Sequence, residues 1–390
     1  MTMERRCSTL ANENKFQQAL SWLKHNLRLV VVVAVFALAV ISIVFIALAG
    51  GNPLNRLRQI FSGSHYGSIP IDSHTTSGYA AFDDGLAIGT ISGLFTYDME
   101  GKETALAQNS MTVPQLRTGG DLVLACDIGG SAVCAIKAGH GEVYNEHLDG
   151  LLLDGDVSED GAVCYAVSTQ TTKTLLSVLD VNQHNIYNWY SETAFMPQCA
   201  ISDGAGYLVG ISLGQQNGTF ESTAVVFSTK EEEPLTTVSL GNDYFLDLDF
   251  ISGNTLCAVG EAGIHFFNLT GDQLGVYDYS DTYLTHYDIQ GDGFIVLATN
   301  KNRAGGQFTL TTLDTSGNQL SSLQVASPIL DISAAGNYLA VLTEDDLIIY
   351  NARLKLCAQT SNADGATQVV ARPNGTAMMI SDGAAILFAA

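Results

Sequence analysis

Positive charge is what this chain has least of. Its 390 residues carry 17 Lys and Arg against 40 Asp and Glu, a formal net charge of -23, and the deficit is uneven. The first 28 residues hold Arg5, Arg6, Lys15, Lys24 and Arg28 against Glu4 and Glu13, whereas residues 68–390 hold ten basic residues against 38 acidic ones. A surface this acidic repels phosphate backbones, which excludes nucleic acid as a partner of the folded region. A cationic or basic ligand is favoured, whether protein, peptide or glycan. Charged residues of both signs make up only 15% of the chain, too few for the salt-bridged helices of a solenoid. The eight His show no His-x-x-x-His and the seven Cys no Cys-x-x-Cys spacing, so nothing in the sequence supports a zinc site. What is abundant is glycine, 38 residues, alongside 46% hydrophobic residues, a composition of tight turns and short buried strands.

One run departs from that composition. From Leu29 to Ala49 there is no charge and a single polar residue, Ser42. At 1.5 Å per helical residue, such a run spans roughly 30 Å of hydrocarbon. Five basic residues precede it and Arg56 and Arg58 follow, a bias that puts the N-terminus in the cytoplasm. A cleavable signal peptide is the competing reading, because Ala47, Leu48 and Ala49 precede Gly50, but the apolar run and the stretch before it are both long for one. The expected organisation is a cytoplasmic tail over 1–28, a transmembrane signal-anchor helix over 29–49, a linker over 50–67 and an extracytoplasmic domain over 68–390. In the tail, Phe16, Leu20, Leu23 and Leu27 recur at helical spacing beside Lys15, Lys24 and Arg28, as in a helix lying on the inner leaflet or, equally, in an extension of the membrane helix.

The domain is built from a degenerate repeat. An apolar strand ending in Asp or Asn and followed by a turn recurs at Asp98, Asn268 and Asp314, with weaker copies at Lys137, Asp180, Ser228 and Asn351; successive spacings are 39, 43, 48, 40, 46 and 37 residues. A glycine turn leads each copy, at Gly85, Gly120, Gly161, Gly204, Gly253, Gly293 and Gly336, and an eighth follows at Gly375. Each unit of about 40 residues therefore holds four strands, which is a propeller blade. Sandwiches have no need to repeat turn and strand in the same order eight times. The expected fold is an all-β propeller of four-stranded blades, eight fitting the arithmetic better than seven, preceded by one transmembrane helix. The last unit lacks an outermost strand. Ser68, Ile69, Pro70 and Ile71 are expected to supply it, Pro70 suiting an edge where a missing N–H costs little.

On these repeats the chain resembles the broad superfamily of eight- and seven-bladed propellers with quinoprotein-like or WD40/YVTN-like repeats. More narrowly, it resembles an uncharacterised bacterial family in which one N-terminal membrane helix carries such a propeller outside the cell. The Trp-Asp blade endings of WD40 repeats and the tryptophan docking motifs of quinoprotein enzymes are missing, since only Trp22 and Trp189 are present. The resemblance therefore carries no expectation of a bound quinone.

Candidate chemistry is sparse. Gly210, Ser212 and Gly214 match the nucleophile-elbow string, but no helix follows Ser212 and a catalytic serine is not expected. Asp154, Asp156, Glu159 and Asp160 cluster within seven residues and offer oxygens to a hard cation such as Ca2+, although the spacing is not that of an EF-hand and turn-forming Asp is the plainer reading. Asp247 and Asp249 alternate with Leu246, Leu248 and Phe250, as on a solvated strand face. Cys126, Cys164 and Cys257 lie in apolar strands, where a thiol packs as a small hydrophobe. Cys126 and Cys134 flank a turn at Gly129 and Gly130 and are the candidate disulfide. Aromatics gather at Tyr187, Trp189 and Tyr190, at Phe266 and Phe267, and at Tyr277, Tyr279, Tyr283 and Tyr287, where packing between blades explains them better than a ligand. Asn217, Asn268 and Asn374 open glycosylation sequons.

With no catalytic, cofactor or metal motif above this background, the expected function is a membrane-tethered, non-catalytic binding or scaffolding module. The alternatives are an extracytoplasmic lyase or hydrolase with its site in the propeller channel, and a ligand sensor coupled through the membrane helix to a partner of the tail.

Overall fold

The computed structural model describes residues 68–71, 76–216, 218–303, 306–361, 363 and 365–388. The expected tail, apolar segment and linker, and the sequon at Asn217, lie outside the described residues. Among those described, no helix is long and apolar enough to cross a membrane.

The described strands form eight antiparallel sheets of four strands each. Blades 1 to 7 span residues 76–108, 114–147, 151–191, 195–241, 245–278, 283–325 and 329–360, each running in chain order from its innermost to its outermost strand. Blade 8 takes three strands from residues 366–388 and its fourth from Ser68–Pro70. Ile69 lies opposite Ala385 and Pro70 opposite Ala384. Ile69 and Ile71 are buried with Leu86 and Ile88 of blade 1 and Met378 and Ile380 of blade 8, so the borrowed strand also fills the seam between the first and last blades. The innermost strands contact one another around a closed circuit, blade 1 meeting blade 8.

The turns explain the repeat. Asp98, Asp180, Asn268, Asp314 and Asn351 each stand at or one residue past the end of the third strand of a blade, and the side-chain oxygen of each accepts the backbone N–H groups two and four residues on. Asp and Asn recur there because a short side chain with an acceptor stands in for backbone in a tight turn. Replacing Asn351 with Ala is expected to cost about 1 kcal/mol in urea unfolding, since two N–H groups lose their partner.

The leading turns also follow the sequence, with one difference. Gly120, Gly161, Gly204, Gly253, Gly293, Gly336 and Gly375 all have positive φ, but in blade 1 that conformation falls to Asp83, at φ 50. Gly85 is instead needed for space: a Cβ there would stand 1.7 Å from the carbonyl oxygen of Tyr97.

Second strands are buried on both faces, as in Gly85–Thr90 and Leu122–Asp127, because each blade is covered by its two neighbours. The core accordingly divides into eight clusters, each shared by successive blades. Phe266 and Phe267 are both fully buried but point to opposite faces, one packing toward blade 6 and the other toward blade 4. Trp189 tilts against Phe227 with ring centroids 4.8 Å apart, and Tyr279 is buried with its hydroxyl donating to the carbonyl of Gly260. Tyr190 stays exposed on an outermost strand, and Tyr283 carries Arg303 over its ring at 5.4 Å.

The expected Cys126–Cys134 disulfide is not formed, and all six described cysteines are free. Across the hairpin Cys126 pairs with Val133 and Cys134 with Ala125. That one-residue offset sends the two thiols to opposite faces of the sheet. Cys126 packs toward blade 3 and Cys134 toward blade 1. Cys164 and Cys257 pack as small hydrophobes.

Candidate ligand channel

The rims of the eight innermost strands meet at the axis. Seven of these strands carry a register irregularity near their start, falling before Gly78, Asp154, Gln198, Asp247, His286, Asp331 and Gln368. Blade 2 has none, and there Gln115 and Arg117 alternate on the same face. Bulges re-aim side chains, and these bring corresponding residues to one level around the axis: Asp154, Asp247 and Asp331 share an upper tier with Gln115, Gln198 and His286. Two residues further along each strand, a lower tier holds Arg117, Asp156, Asp249, Asp288 and Ser333.

Five of the tier residues reach the following blade and accept its backbone N–H groups by one rule. Asp154 accepts the N–H of Cys199 at 2.9 Å, Asp156 that of Ile201 at 2.9 Å, Asp288 that of Ala334 at 2.8 Å, Asp331 that of Val369 at 2.8 Å and Ser333 Oγ that of Ala371 at 3.0 Å. An innermost strand is paired along only one edge, and these side chains satisfy donors on the other. Carboxylates at the axis are therefore clamps between blades 3 and 4, 6 and 7, and 7 and 8.

Asp247 and Asp249 make no such clamp. Asp247 is 6% exposed and accepts a charge-assisted bond from Arg117 Nη2 at 2.8 Å, an arm reaching across the channel from blade 2 to blade 5. Asp249 accepts from Gln290 Nε2 at 2.9 Å. The pair thus faces the channel rather than open solvent. Arg117 answers all the nearby acids: its pKa is raised first by Asp247, then by Asp154, Asp156 and Asp249, against the cost of burial. One guanidinium is not enough to hold them all ionised. Burial pushes Asp154 up to about 7 and Asp288 and Asp331 up to about 6, and raises Asp156 and Asp249 as well.

At the end where the innermost strands begin, the channel opens into a cavity of about 480 Å3 facing blades 1, 2, 7 and 8, with Arg117 on one side and Asp331, Gln368 and Thr367 on the other. Two buried polar atoms of the upper tier have no hydrogen-bond partner, Gln198 Oε1 and His286 Nδ1. His286 Nε2 lies 3.1 Å from the carbonyl of Leu330, so it carries the proton, and Nδ1 is left as an acceptor. Burial lowers the His286 pKa and keeps the ring neutral. Both unpartnered atoms of this tier are thus acceptors.

The sequence candidates separate. Asp154 and Asp156 are in the tiers, but Asp160 sits at the turn beyond them, accepting from Ser158 Oγ at 2.6 Å and from the Gly204 N–H at 2.7 Å. Among the described residues no three His, Cys, Asp or Glu side chains are placed to hold a metal ion. Ser212 lies inside a long hairpin strand, opposite Thr223, with no elbow. Asn268 and Asn374 each bond their own sequon threonine, Thr270 and Thr376. Arg117, Asp288 and Asp331 escaped the sequence reading. The one signal for Arg117 was the rarity of any cation in the acidic domain.

Solved structures similar to this chain match it at low identity. The WD40 repeats of RRP9 align with TM-score 0.50 and 9% identity, covering 83% of this chain and 97% of that one. U3-55K aligns with TM-score 0.50 and 10% identity, covering 83% and 98%. BamB from Moraxella catarrhalis aligns with TM-score 0.49 and 15% identity, covering 82% and 95%. At such identities the likeness concerns the fold alone, and no curated protein matches the sequence. The family model for DUF5711, a family of unknown function, matches residues 61–384, and the chain belongs to that family.

Proposed function

We propose that this protein is a membrane-tethered, extracytoplasmic binding module without catalytic activity, whose channel receives a cationic group presented by a polypeptide partner. The observation that carries this reading is the imbalance at the axis: six carboxylates on two tiers face one guanidinium, and the unpartnered atoms beside them, Gln198 Oε1 and His286 Nδ1, are both acceptors. A polypeptide fits because apolar side chains are exposed near the starts of the innermost strands, around that mouth, among them Leu151, Leu246, Leu330 and Tyr244. The apolar run from Leu29 to Ala49 and the basic residues before it support the tether and its direction.

Calorimetric titration with a lysine- and arginine-rich peptide tests the binding. Affinity is expected to fall with salt, and at pH 8, above the raised value of about 6 at Asp331, to fall about tenfold or more in Asp331→Asn, which keeps an acceptor but loses the charge. Equal binding by that variant, or preference for an acidic peptide, overturns the reading. A membrane-impermeant amine reagent applied to intact cells is expected to label the exposed Lys230 and Lys301. Protection of both until the cells are broken overturns the topology.

A further inference from the structure

Two cysteines that the sequence did not pair meet at the interface of blades 3 and 4. Cys164 lies on the second strand of blade 3 and Cys199 on the innermost strand of blade 4, and their sulfurs are 3.6 Å apart. Both are buried, at 0% and 1% exposure, among Ala166, Leu176, Met196 and Leu208. The Cys199 N–H is held by Asp154 from the opposing blade, so the backbone carrying one thiol is fixed against the strand beside the other. A disulfide needs sulfurs about 2.05 Å apart. The remaining approach of roughly 1.5 Å is within reach of small side-chain rotations.

We infer that Cys164 and Cys199 form a disulfide that staples blade 3 to blade 4 when the chain folds in an oxidising compartment. The compartment rests on the extracytoplasmic topology proposed above; the pairing rests on the geometry alone. The bond forms as the blades dock. In the finished ring both thiols are sealed from solvent, and both are held in the neutral form, Cys164 by burial and Cys199 first by its contact with Cys164 and then by burial, so neither supplies the attacking thiolate.

The oxidant is a disulfide R–S–S–R, either glutathione disulfide or the active-site disulfide of a thiol oxidoreductase. The thiolate of one cysteine attacks it, breaking its S–S bond, forming a mixed disulfide and releasing one R–S−. The second thiolate attacks the protein sulfur of the mixed disulfide and expels the other R–S−. Two protein thiols are oxidised, one disulfide is reduced, and the two protein protons end on the two released thiols. Cys126 is the neighbouring competitor: a Cβ added at Gly155, between Asp154 and Asp156, would stand 2.5 Å from its sulfur. It reaches this region from the blade 2 side and belongs to the core between blades 2 and 3, whereas Cys164 and Cys199 belong to that between blades 3 and 4.

Full-length protein, unfolded with guanidinium and reductant and refolded in a glutathione redox buffer, is alkylated and mapped by non-reducing peptide mass spectrometry. The expected product is two hydrogens lighter, carries a single 164–199 crosslink and melts several degrees above the same protein refolded in reductant. Cys164→Ala and Cys199→Ala each abolish that difference. Protein that regains its near-ultraviolet circular dichroism with no crosslink, or with Cys126 crosslinked instead, overturns the pairing. The same map on protein from cells whose thiols were blocked at lysis tests the compartment separately. A crosslink there supports both statements; its absence there, with the crosslink formed on refolding, upholds the pairing and overturns the oxidising compartment.

Discussion

Replacing Arg117 with methionine is expected to cost the propeller roughly 3 kcal/mol, a larger loss than its single ion pair would suggest. The methionine keeps much of the stem volume and removes only the charge. Asp247 would then be a buried carboxylate without a counterion, beside Asp154, Asp156 and Asp249, whose ionised forms Arg117 also supports. Leaving one partner of such a pair uncompensated is what makes the loss large, whereas removing both can be nearly neutral. Asp247→Asn added to Arg117→Met should therefore recover part of the stability, and urea unfolding of the two single variants and the double variant measures the coupling. A loss under about 0.5 kcal/mol for Arg117→Met, or no recovery in the double variant, would show that the arm across the channel is idle.

The second large effect is with pH, and the buried channel acids set its sign. Asp154 has a folded pKa of about 7, against an unfolded carboxylate near 3.9. The folded state therefore binds the extra proton between those values. Its contribution to stability is fully present below about pH 4 and is lost as pH rises through about 7, a change of order 3–4 kcal/mol for this group. Asp288 and Asp331 act in the same direction up to about pH 6. Turn carboxylates act in the opposite sense at lower pH: Asp180, whose pKa is lowered first by the His184 N–H, gives stability that is lost as pH falls through its folded value. Maximal stability is expected at mildly acid pH, near 4 to 5, with a decline toward 8. Asp154→Asn keeps an oxygen for the Cys199 N–H without the charge. At pH 8 it should be more stable than the parent by about 1–3 kcal/mol, with a flatter slope from pH 5 to 8. Thermal melts across that range check both, and a less stable variant with an unchanged slope would remove Asp154 as the cause.

Much of the fold could be read in the sequence because it is written in local chemistry. The five Asp and Asn turn caps must sit at fixed distances from strand ends, and seven of the eight leading glycines are where a positive φ is required. The closing strand was legible from the missing fourth strand of the last unit and from Pro70. The channel was not legible, for a physical reason. Its tiers are aligned by bulges that shift register by one residue, and such a shift swaps the faces of a strand without altering composition. Leu246, Asp247, Leu248 and Asp249 therefore read as a solvated face, although Asp247 is buried against Arg117 from three blades away. The same parity decided the cysteines. Cys126 and Cys134 looked paired across a turn, but pairing across a hairpin depends on an offset that only the register reveals. The Cys164–Cys199 contact joins separate blades and has no local signature.

The borrowed strand at Ser68–Pro70 sets an order of assembly. The ribosome makes it before every other strand of the ring, yet its partner, Ala384–Phe388, is the last strand made. Blades 1 to 7 complete themselves in sequence as they emerge, while the residues that close the circle wait through the synthesis of all of them. Until the strands of blade 8 appear, Ile69 and Ile71 have only the blade 1 side of their seam, and the unfinished ring exposes apolar surface at both ends. Closure is thus a single late event that joins the two ends of the domain, and a chain cut short before Ala384 would leave Ser68–Pro70 without the strand it pairs with.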